Sequence, residues 1–290
     1  MNLKDLYSRN SSNNKPVISY EVYPPKNDTD GSKLECLFSE LDVLKKYEPS
    51  LISVTYGAGG SNQSQSIEII ERIKNALKIT PMPHFTCVST SFDNIKSYIN
   101  NIVELGVENI LALRGDLPEN GRTFDDFRHA SDLVLFIKEN TNLSVAVAGY
   151  PEVHKDALSE DKDLEYLKYK VDLGADVIYT QLFFNNDYYY RYVEKCRKLG
   201  IKAHIVPGIL PIISFEQLWK MISLSQVDVP KKLFNDLEKH KDDKLYIKQY
   251  GIDYATKQCD ELMNFGIDGI HFYTLNKSYS VSHILENLFS

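Results

Sequence analysis

The sequence predicts a single (β/α)8 barrel, the α/β fold known as a TIM barrel. Eight short apolar segments alternate along the 290 residues with stretches in which apolar residues recur every three or four positions, as strands and amphipathic helices do. The strand-like segments are nearly continuous apolar runs, which is typical of strands buried on both faces of a parallel sheet. Because such a barrel uses about 250 residues as one domain, the length does not require a second domain.

The predicted elements follow one another in a regular order. Gly106 and Gly174 stand where glycines commonly end a helix. Helices are expected near residues 34–44, 67–77, 92–105, 126–138, 164–173, 188–199 and 281–288, with two or three more within 214–265. The strands are expected at residues 17–23, 51–56, 84–88, 110–113, 143–148, 177–184, 203–206 and 269–273.

The pattern also predicts how the chain is divided. Residues 1–15 are expected to be a polar arm with a short helix, and residues 16–290 the barrel. A doubly wound open sheet would alternate strands and helices too, but it more often has about five or six strands. No G-x-G-x-x-G motif follows the first strand, and Gly57-Ala58-Gly59-Gly60 has the wrong spacing for a dinucleotide fingerprint.

Composition excludes several classes of function. The net charge of −7 includes no block of like charge, so nucleic acid is not an expected partner. The four cysteines form no C-x-x-C pair, which argues against a metal site and a redox dithiol. No apolar run approaches the ~18 residues of a membrane span, and the polar N-terminus lacks the core of a signal peptide. We therefore expect a cytoplasmic protein with no membrane partner and no metal.

One stretch stands out for its charges. The apolar run Ile110 to Leu113 leads directly into Arg114-Gly115-Asp116. Charged groups are costly away from water unless they are paired, so this pattern suits a site at the end of a buried strand. A solvated pair in a surface turn is the alternative, because most loops run over the surface.

Polar residues also follow the other predicted strands. In a (β/α)8 barrel the active site lies at the carboxyl ends of the strands. Taken singly, Glu21 could pair with a lysine in the barrel floor, His84 could be a core histidine, and Gln181 could cap the sheet. Taken together, they predict a site. Glu21 and Asp116 could act as two carboxyl groups with separated pKa values, which suits proton transfer to nitrogen or carbon.

Eight segments of the chain resemble, in order, the motifs of the methylenetetrahydrofolate reductase family. The resemblance spans nearly the whole chain and is to the short bacterial type, a catalytic barrel without a C-terminal regulatory domain. The motifs are Tyr20-Glu21-Val22-Tyr23-Pro24-Pro25-Lys26, Ser53-Val54-Thr55-Tyr56-Gly57-Ala58, His84-Phe85-Thr86-Cys87, Ala112-Leu113-Arg114-Gly115-Asp116-Leu117-Pro118, Tyr150-Pro151-Glu152-Val153-His154, Thr180-Gln181-Leu182-Phe183-Phe184, Pro207-Gly208-Ile209-Leu210-Pro211 and His271-Phe272-Tyr273-Thr274-Leu275-Asn276.

This resemblance implies a flavoenzyme of one-carbon metabolism that supplies methyl groups for methionine synthesis. FAD would be bound noncovalently and reduced by NADH or NADPH. After the nicotinamide leaves, 5,10-methylenetetrahydrofolate would bind and be reduced to 5-methyltetrahydrofolate, a ping-pong mechanism. Family members assemble as homo-oligomers, so a homo-oligomer is expected. A partner protein that donates electrons is a further possibility.

The resemblance also assigns residues. Glu21 corresponds to the general acid that protonates the folate, and Asp116 to the aspartate between flavin and pterin. Gln181, Gln217 and Lys277 correspond to folate-binding positions. The flavin-contacting positions correspond to Thr55, His84, Arg114, Gly115, Asp116, His129, Ala130, Tyr150, His154, Asp163 and Lys170.

Some positions depart from the family pattern. Tyr20, Val22 and Tyr23 replace phenylalanines around Glu21, which predicts a more polar pocket for this acid. His129 replaces a tyrosine beside the flavin, and Lys277 replaces an arginine that contacts the folate tail. Lysine keeps the charge but lacks the bidentate fork of arginine. Tyr169 replaces an arginine near the flavin phosphates, and Met221 replaces an aromatic residue that packs on the bound substrate in some members.

Two other functions are compatible with the polar strand ends. One is a flavin-free barrel lyase or transferase that acts on a pterin or keto acid, with Glu21 and Asp116 in acid–base roles and Lys26 or Lys170 as a Schiff-base candidate. The other is a noncatalytic barrel that serves as a binding subunit. Bound flavin distinguishes the reductase from the first, and turnover distinguishes it from the second.

Overall fold

Eight parallel strands pair in sequence order and close into a barrel, in which β8 pairs with β1. This confirms the predicted (β/α)8 fold. The structure, a computed structural model, describes residues 1–10, 16–56, 63–88, 90–116 and 126–289. The strands are β1 (Val17–Val22), β2 (Leu51–Val54), β3 (Thr80–Thr86), β4 (Asn109–Leu113), β5 (Ser144–Gly149), β6 (Val177–Leu182), β7 (His204–Ile209) and β8 (Gly269–Tyr273).

Helices alternate with the strands. The segment before β8 forms three helices, α8 to α10, and a short π-helical segment, Ile73–Leu77, extends α3. None of the helices in the described ranges is long and apolar enough to cross a membrane. The helices are α1 (Leu3–Asn10), α2 (Ser32–Lys45), α3 (Gln63–Arg72), α4 (Phe92–Glu104), α5 (Ala130–Asn140), α6 (Glu160–Asp172), α7 (Asn186–Lys198), α8 (Phe215–Ser225), α9 (Lys231–Lys239), α10 (Lys244–Phe265) and α11 (Tyr279–Phe289).

Successive side chains along each strand pack alternately in two hydrophobic cores, one between the strands and the helices and one inside the barrel. Ile18, Tyr20 and Val22 of β1 pack in the outer core between the strands and the helices. Residues of opposite parity face the barrel interior, because successive strand residues point to opposite faces. The interior is apolar at its amino end, where Val17, Leu51, Met82, Leu111, Val177 and Val206 cluster. Two residues further along the strands it becomes polar, with Ser19, Ser53, His84 and His271 buried there.

Helix α1 covers the apolar end of the barrel. Leu3, Leu6 and Tyr7 are buried and belong to the interior cluster, and the Tyr7 hydroxyl lies 2.8 Å from that of Tyr179. The predicted short helix is therefore packed against the barrel floor. Residues 11–15 of the expected arm lie outside the described residues, so the boundary between arm and barrel stays a prediction.

Several element boundaries differ from those expected. Helix α3 begins at Gln63 instead of 67, α6 begins at Glu160 instead of 164, and β7 extends to Ile209 instead of 206. The starts of β3 and α5 differ too. Strand β3 was predicted to begin at His84 but begins at Thr80, because Pro81 and Pro83 pair only with β2 and the pairing with β4 starts at His84. Proline lacks the N–H that a second neighbouring strand would need. Helix α5 begins at Ala130 instead of near residue 126. The Asp132 carboxylate accepts the backbone N–H of His129 at 2.9 Å and so caps this end.

Gly251→Ala is expected to destabilise the protein by about 1–3 kcal/mol. In an open helix this change would stabilise by roughly 0.5–1 kcal/mol, but a Cβ at Gly251 of α10 would lie 2.0 Å from the Ile212 carbonyl oxygen. Chemical denaturation measures the free energy of unfolding. Asp253→Ala, at an exposed position of the same helix, is the control and should change stability by less than about 0.5 kcal/mol. A more stable Gly251→Ala variant would contradict the close approach.

Candidate active site at the carboxyl end of the barrel

Glu21 projects from β1 into the polar half of the barrel interior. About a fifth of its side chain is exposed (21%). Its Oε2 lies 3.7 Å from Nε2 of His84 on β3 and 4.0 Å from Nε2 of His271 on β8. Burial raises the pKa of Glu21 to about 8 and lowers the pKa values of both histidines to about 3. At neutral pH the site therefore contains a protonated carboxyl group between two neutral imidazoles.

The neighbours of Glu21 in sequence do not shape its pocket in the way expected. Tyr20 and Val22 lie in the outer core, and the Tyr20 hydroxyl is directed at the carbonyl of Leu44 in α2. Tyr23 is partly exposed beyond the strand end. The prediction of a more polar pocket from Tyr20 and Val22 was wrong, because strand alternation directs these side chains away from Glu21. The polarity comes instead from His84 and His271.

The Arg-Gly-Asp triplet depends on its glycine. Gly115 has φ of +85°, and a Cβ there would lie 2.9 Å from Cβ of Thr86. Glycine adopts this left-handed conformation without the steric cost that other residues meet. The turn takes Arg114 and Asp116 out of the strand end. Leu117 and Pro118, like Gly57 to Gly60, lie outside the described residues.

The loop after β5 supplies partners for both charges of the triplet. Asp156 accepts a hydrogen bond from Arg114 Nη2 at 2.7 Å, and Lys155 Nζ lies 3.7 Å from Asp116 Oδ1. The Asp116 side chain is 94% exposed, so its pair with Lys155 is weakly held. The Arg114 guanidinium lowers the pKa of Asp156 by hydrogen bonding. These contacts attach the β5 loop to the end of β4.

Two adjoining cavities lie beside this loop. They share Arg114, Tyr150, His154 and Asp156. The larger cavity, about 610 Å³, is also lined by Asp116 and Gln181. The smaller one, about 460 Å³, is lined by the predicted flavin-contacting residues His129, Ala130, Asp163 and Lys170, and by the departing residue Tyr169. Most of the candidate cofactor positions therefore meet around one continuous surface.

Lys170 gives the smaller cavity a buried cation. Its Nζ donates to the Ala148 carbonyl at 2.9 Å, and burial lowers its pKa to about 8, an effect that the charge of Asp163 opposes. Asp163 in turn accepts the backbone N–H of His154 at 3.0 Å. Burial raises the pKa of Asp163. A buried ammonium that faces a cavity fits an anionic ligand group.

The other predicted site residues do not line these two cavities; they are Glu21, Thr55, His84, Gly115, Gln217 and Lys277. Thr55 follows β2 and is half-buried. Gln217 is occupied by its own loop, since its Oε1 accepts from Ile213 N at 2.7 Å and its Nε2 donates to Pro211 O at 3.2 Å. Lys277 pairs with Glu40 of α2 at 3.2 Å, which raises the Lys277 pKa. Thr55, Gln217 and Lys277 still follow β2, β7 and β8, at the same end of the barrel.

Several residues of this site were not among those expected. His271 and Tyr273 belong to the last of the eight family-like motifs, but the resemblance assigns them no role, and it assigns none to Ser19 or Asp156. Every second residue of β8, namely Gly269, His271 and Tyr273, faces the interior. This alternation indicates from the sequence that His271 faces the barrel interior, on the same side of its strand as Gly269 and Tyr273. Asp156 lies in a loop whose path the sequence does not define.

Glu21→Gln is expected to be more stable than the wild type at pH 7–8. The difference between the two proteins should be smaller at pH 4. The folded-state pKa of about 8 exceeds the ordinary value of 4.5. Below pH 4.5 Glu21 is protonated in both the folded and the unfolded protein, so its raised pKa does not lower the free energy of unfolding there. Above that pH it costs up to about 1.4 kcal/mol per pH unit. Glutamine removes this cost, so the stability difference between variant and wild type should grow by up to about 3 kcal/mol between pH 4 and pH 7. Denaturant unfolding across this range measures it, and a pH-independent difference would show that Glu21 is ionised in the fold.

Comparison with known proteins gives a consistent result over the whole barrel. A family model described as methylenetetrahydrofolate reductase matches residues 6–289. The 5,10-methylenetetrahydrofolate reductase of Buchnera aphidicola is 38% identical, and the match covers 94% of this chain and 92% of that protein. The Escherichia coli enzyme of the same name is 35% identical, with 92% and 90% covered.

Two further similarities concern length and fold. Methylenetetrahydrofolate reductase (NADH) 1 of Arabidopsis thaliana is 38% identical over 94% of this chain. The chain spans about half the length of this plant relative, 48%. An uncharacterised protein from Clostridium thermocellum, described as binding two copies of 5-methyl-5,6,7,8-tetrahydrofolic acid, superposes with a TM-score of 0.71 at 16% identity and 98% coverage of both chains. That similarity shows the shared fold alone. Together with the matched family model, the 35–38% identities show that this chain belongs to the methylenetetrahydrofolate reductase family.

Proposed function

We propose that the protein reduces 5,10-methylenetetrahydrofolate to 5-methyltetrahydrofolate, with noncovalently bound FAD and electrons from NADH or NADPH. The observation that carries this proposal is the protonated Glu21 carboxyl at the end of the barrel where the two cavities lie, in a chain of this family. The names of the plant relatives favour NADH as the donor. As in the family, we expect the protein to be a cytoplasmic homo-oligomer that supplies methyl groups for methionine synthesis.

The two cavities fit a long ligand with an anionic middle. Arg114 lies where they join, and Lys170 lies in the smaller one. These cations would hold the ribityl and diphosphate portions of FAD, with Tyr150 and His154 beside them in edge-to-face contact at 4.5 Å. Thr55, His84, Gly115, His129, Ala130 and Asp163 complete the proposed set. Bound FAD would supply the hydride.

Glu21 would act in the folate half of the reaction. A carboxyl group that stays protonated at pH 7 donates a proton to a folate nitrogen and so opens the five-membered ring, which leaves a cationic one-carbon unit. Asp116 is exposed beside the larger cavity, where it would stabilise a neighbouring cation. Gln181 lines the same cavity, and Gln217 and Lys277 follow the neighbouring strands β7 and β8. We propose these three for folate binding.

A ping-pong sequence suits a site of this size. Nicotinamide and folate would use the same space in turn, so that Glu21 is needed only for the second substrate. Reduction of the cofactor by nicotinamide requires no proton from the protein's carboxyl. The two half-reactions are therefore separable by experiment.

The first test is an anaerobic absorption spectrum of the purified protein. The flavin band should bleach when NADH is added and return when methylenetetrahydrofolate follows. A flavin that NADH and NADPH fail to bleach would indicate a protein electron donor. A protein that contains no flavin and binds none when FAD is added would refute the reductase proposal in favour of a flavin-free barrel enzyme.

Glu21→Gln should leave flavin reduction by the nicotinamide within about twofold of wild type and lower flavin reoxidation by the folate by at least 10²-fold, since general acids contribute about 10²–10⁴-fold. Stopped-flow absorbance measures both half-reactions separately. An equal loss in both would remove Glu21 from its role as the folate-specific acid.

Lys170→Met should weaken FAD binding by about 10- to 100-fold, because a hydrogen bond to a charged group contributes about 1.5–3 kcal/mol. Wild-type affinity should also fall as pH rises above 8, where the free Lys170 loses its proton, and this slope should vanish in the variant. Flavin fluorescence quenching gives the dissociation constants. Lys168→Met, on the same helix but paired with Asp172, is the matched control. Equal affinities of the two variants would exclude Lys170 from the flavin site.

A further inference from the structure

Ser19 occupies a buried position on β1, two residues before Glu21, and contacts the histidine beside that carboxyl group. Its side chain is fully buried, and its Oγ lies 2.8 Å from Nδ1 of His271. The same hydroxyl donates to the Ile270 carbonyl at 3.3 Å. Because a hydroxyl has one hydrogen and two acceptor lone pairs, the bond to Ile270 leaves Ser19 as an acceptor toward His271.

Two tyrosine hydroxyls support this arrangement from the barrel floor. Tyr7 of α1 and Tyr179 of β6 hydrogen-bond each other at 2.8 Å, and both share a side-chain hydrogen bond with Ser19. The Ile270 carbonyl provides an acceptor for the Ser19 hydrogen, which leaves a lone pair of the Ser19 oxygen for a hydrogen on Nδ1 of His271.

These bonds are compatible with the Nδ1–H tautomer of His271. In a neutral imidazole one nitrogen carries the hydrogen and the other accepts, and the partner of one nitrogen sets the state of the other. With its hydrogen on Nδ1, His271 presents a bare Nε2 toward Glu21 Oε2, 4.0 Å away. Catalytic hydrogen bonds are often long in the absence of substrate and tighten in the substrate complex.

We propose that Ser19 is a positioning residue for the general acid: it holds His271 in the Nδ1–H tautomer, so that the bare Nε2 accepts from the Glu21 carboxyl and keeps it protonated. The proposal rests on the function proposed above for Glu21. A hydrogen bond accepted from the neutral acid disfavours its ionised form. The opposite tautomer would donate to the carboxylate and favour ionisation.

The other titratable groups that face this pair carry no charge at pH 7. Glu21 is also faced by His84 from β3 and by Tyr273 from β8, and His271 by the ring of Tyr179 from β6 at 4.8 Å. Burial lowers the pKa of His84 and raises those of Tyr273 and Tyr179, so all three are neutral at pH 7. Hydrogen-bond direction, not a nearby charge, therefore distinguishes the two states of Glu21.

The tautomer can be measured without any activity. The 15N chemical shifts of the His271 ring, assigned by comparison with His271→Gln, should report protonated Nδ1 and bare Nε2 in the wild-type protein. An Nε2–H tautomer would overturn the proposal, whether or not the protein reduces folate.

The functional test is the pH profile of flavin reoxidation by methylenetetrahydrofolate. The rate should fall at high pH, where Glu21 loses its proton. In Ser19→Ala this descending limb of the profile should move to lower pH by about one unit, within the range that hydrogen bonds shift a pKa. Flavin reduction by NADH should stay unchanged. Ser53→Ala is the matched control. Ser53 is the register neighbour of Glu21 on β2, is fully buried, and has no hydrogen-bond partner for its hydroxyl among the described residues.

The outcomes separate this proposal from the function on which it rests. A wild-type protein that does not reoxidise with folate would refute the proposed reaction and leave the tautomer measurement as the test of Ser19. A wild-type protein that turns over, with an unchanged limb in Ser19→Ala or an equal shift in Ser53→Ala, would overturn the role of Ser19 alone. If Ser19→Ala fails to fold, the wild-type 15N shifts still decide.

Discussion

A carboxyl group buried in the barrel interior is the constraint on which the rest of this site depends. Ionised carboxylates are costly away from water, so Glu21 remains neutral, and its two imidazole neighbours are neutral for the same reason. The barrel provides this environment by changing from apolar to polar side chains along its axis. The chemistry proposed for Glu21 requires a protonated acid, and burial supplies it without a nearby anion.

The floor of the barrel and its mouth are connected by this interior. Helix α1 covers the apolar end with Leu3, Leu6 and Tyr7, and Tyr7 begins the series of hydrogen bonds that continues through Tyr179 and Ser19 to His271. A helix that appears peripheral in sequence is thus in contact with the network behind the candidate acid. Its contribution is to cover the floor with apolar side chains and to place the Tyr7 hydroxyl in this network.

The mouth is organised differently, by paired charges on loops. Gly115 allows the turn that presents Arg114 and Asp116, and the β5 loop meets them with Asp156 and Lys155. Such exposed pairs contribute little to stability, but they bring the ends of β4 and β5 together around both cavities. Lys170, held further inside by a backbone carbonyl, gives this surface a cation that is costly to bury and therefore suited to an anionic ligand.

The sequence by itself determined the barrel, because eight apolar runs that alternate with amphipathic helices leave few other ways to bury both faces of the strands. It also indicated Glu21, Arg114, Asp116 and Gln181 as candidates, since polar groups at strand ends are conspicuous in apolar surroundings. Only the tertiary structure decided that Tyr20 faces outward, that His271 and Ser19 lie behind Glu21, and that Asp156 pairs with Arg114. These contacts join residues up to 252 positions apart, and barrel closure and loop path, which no local pattern encodes, bring them together.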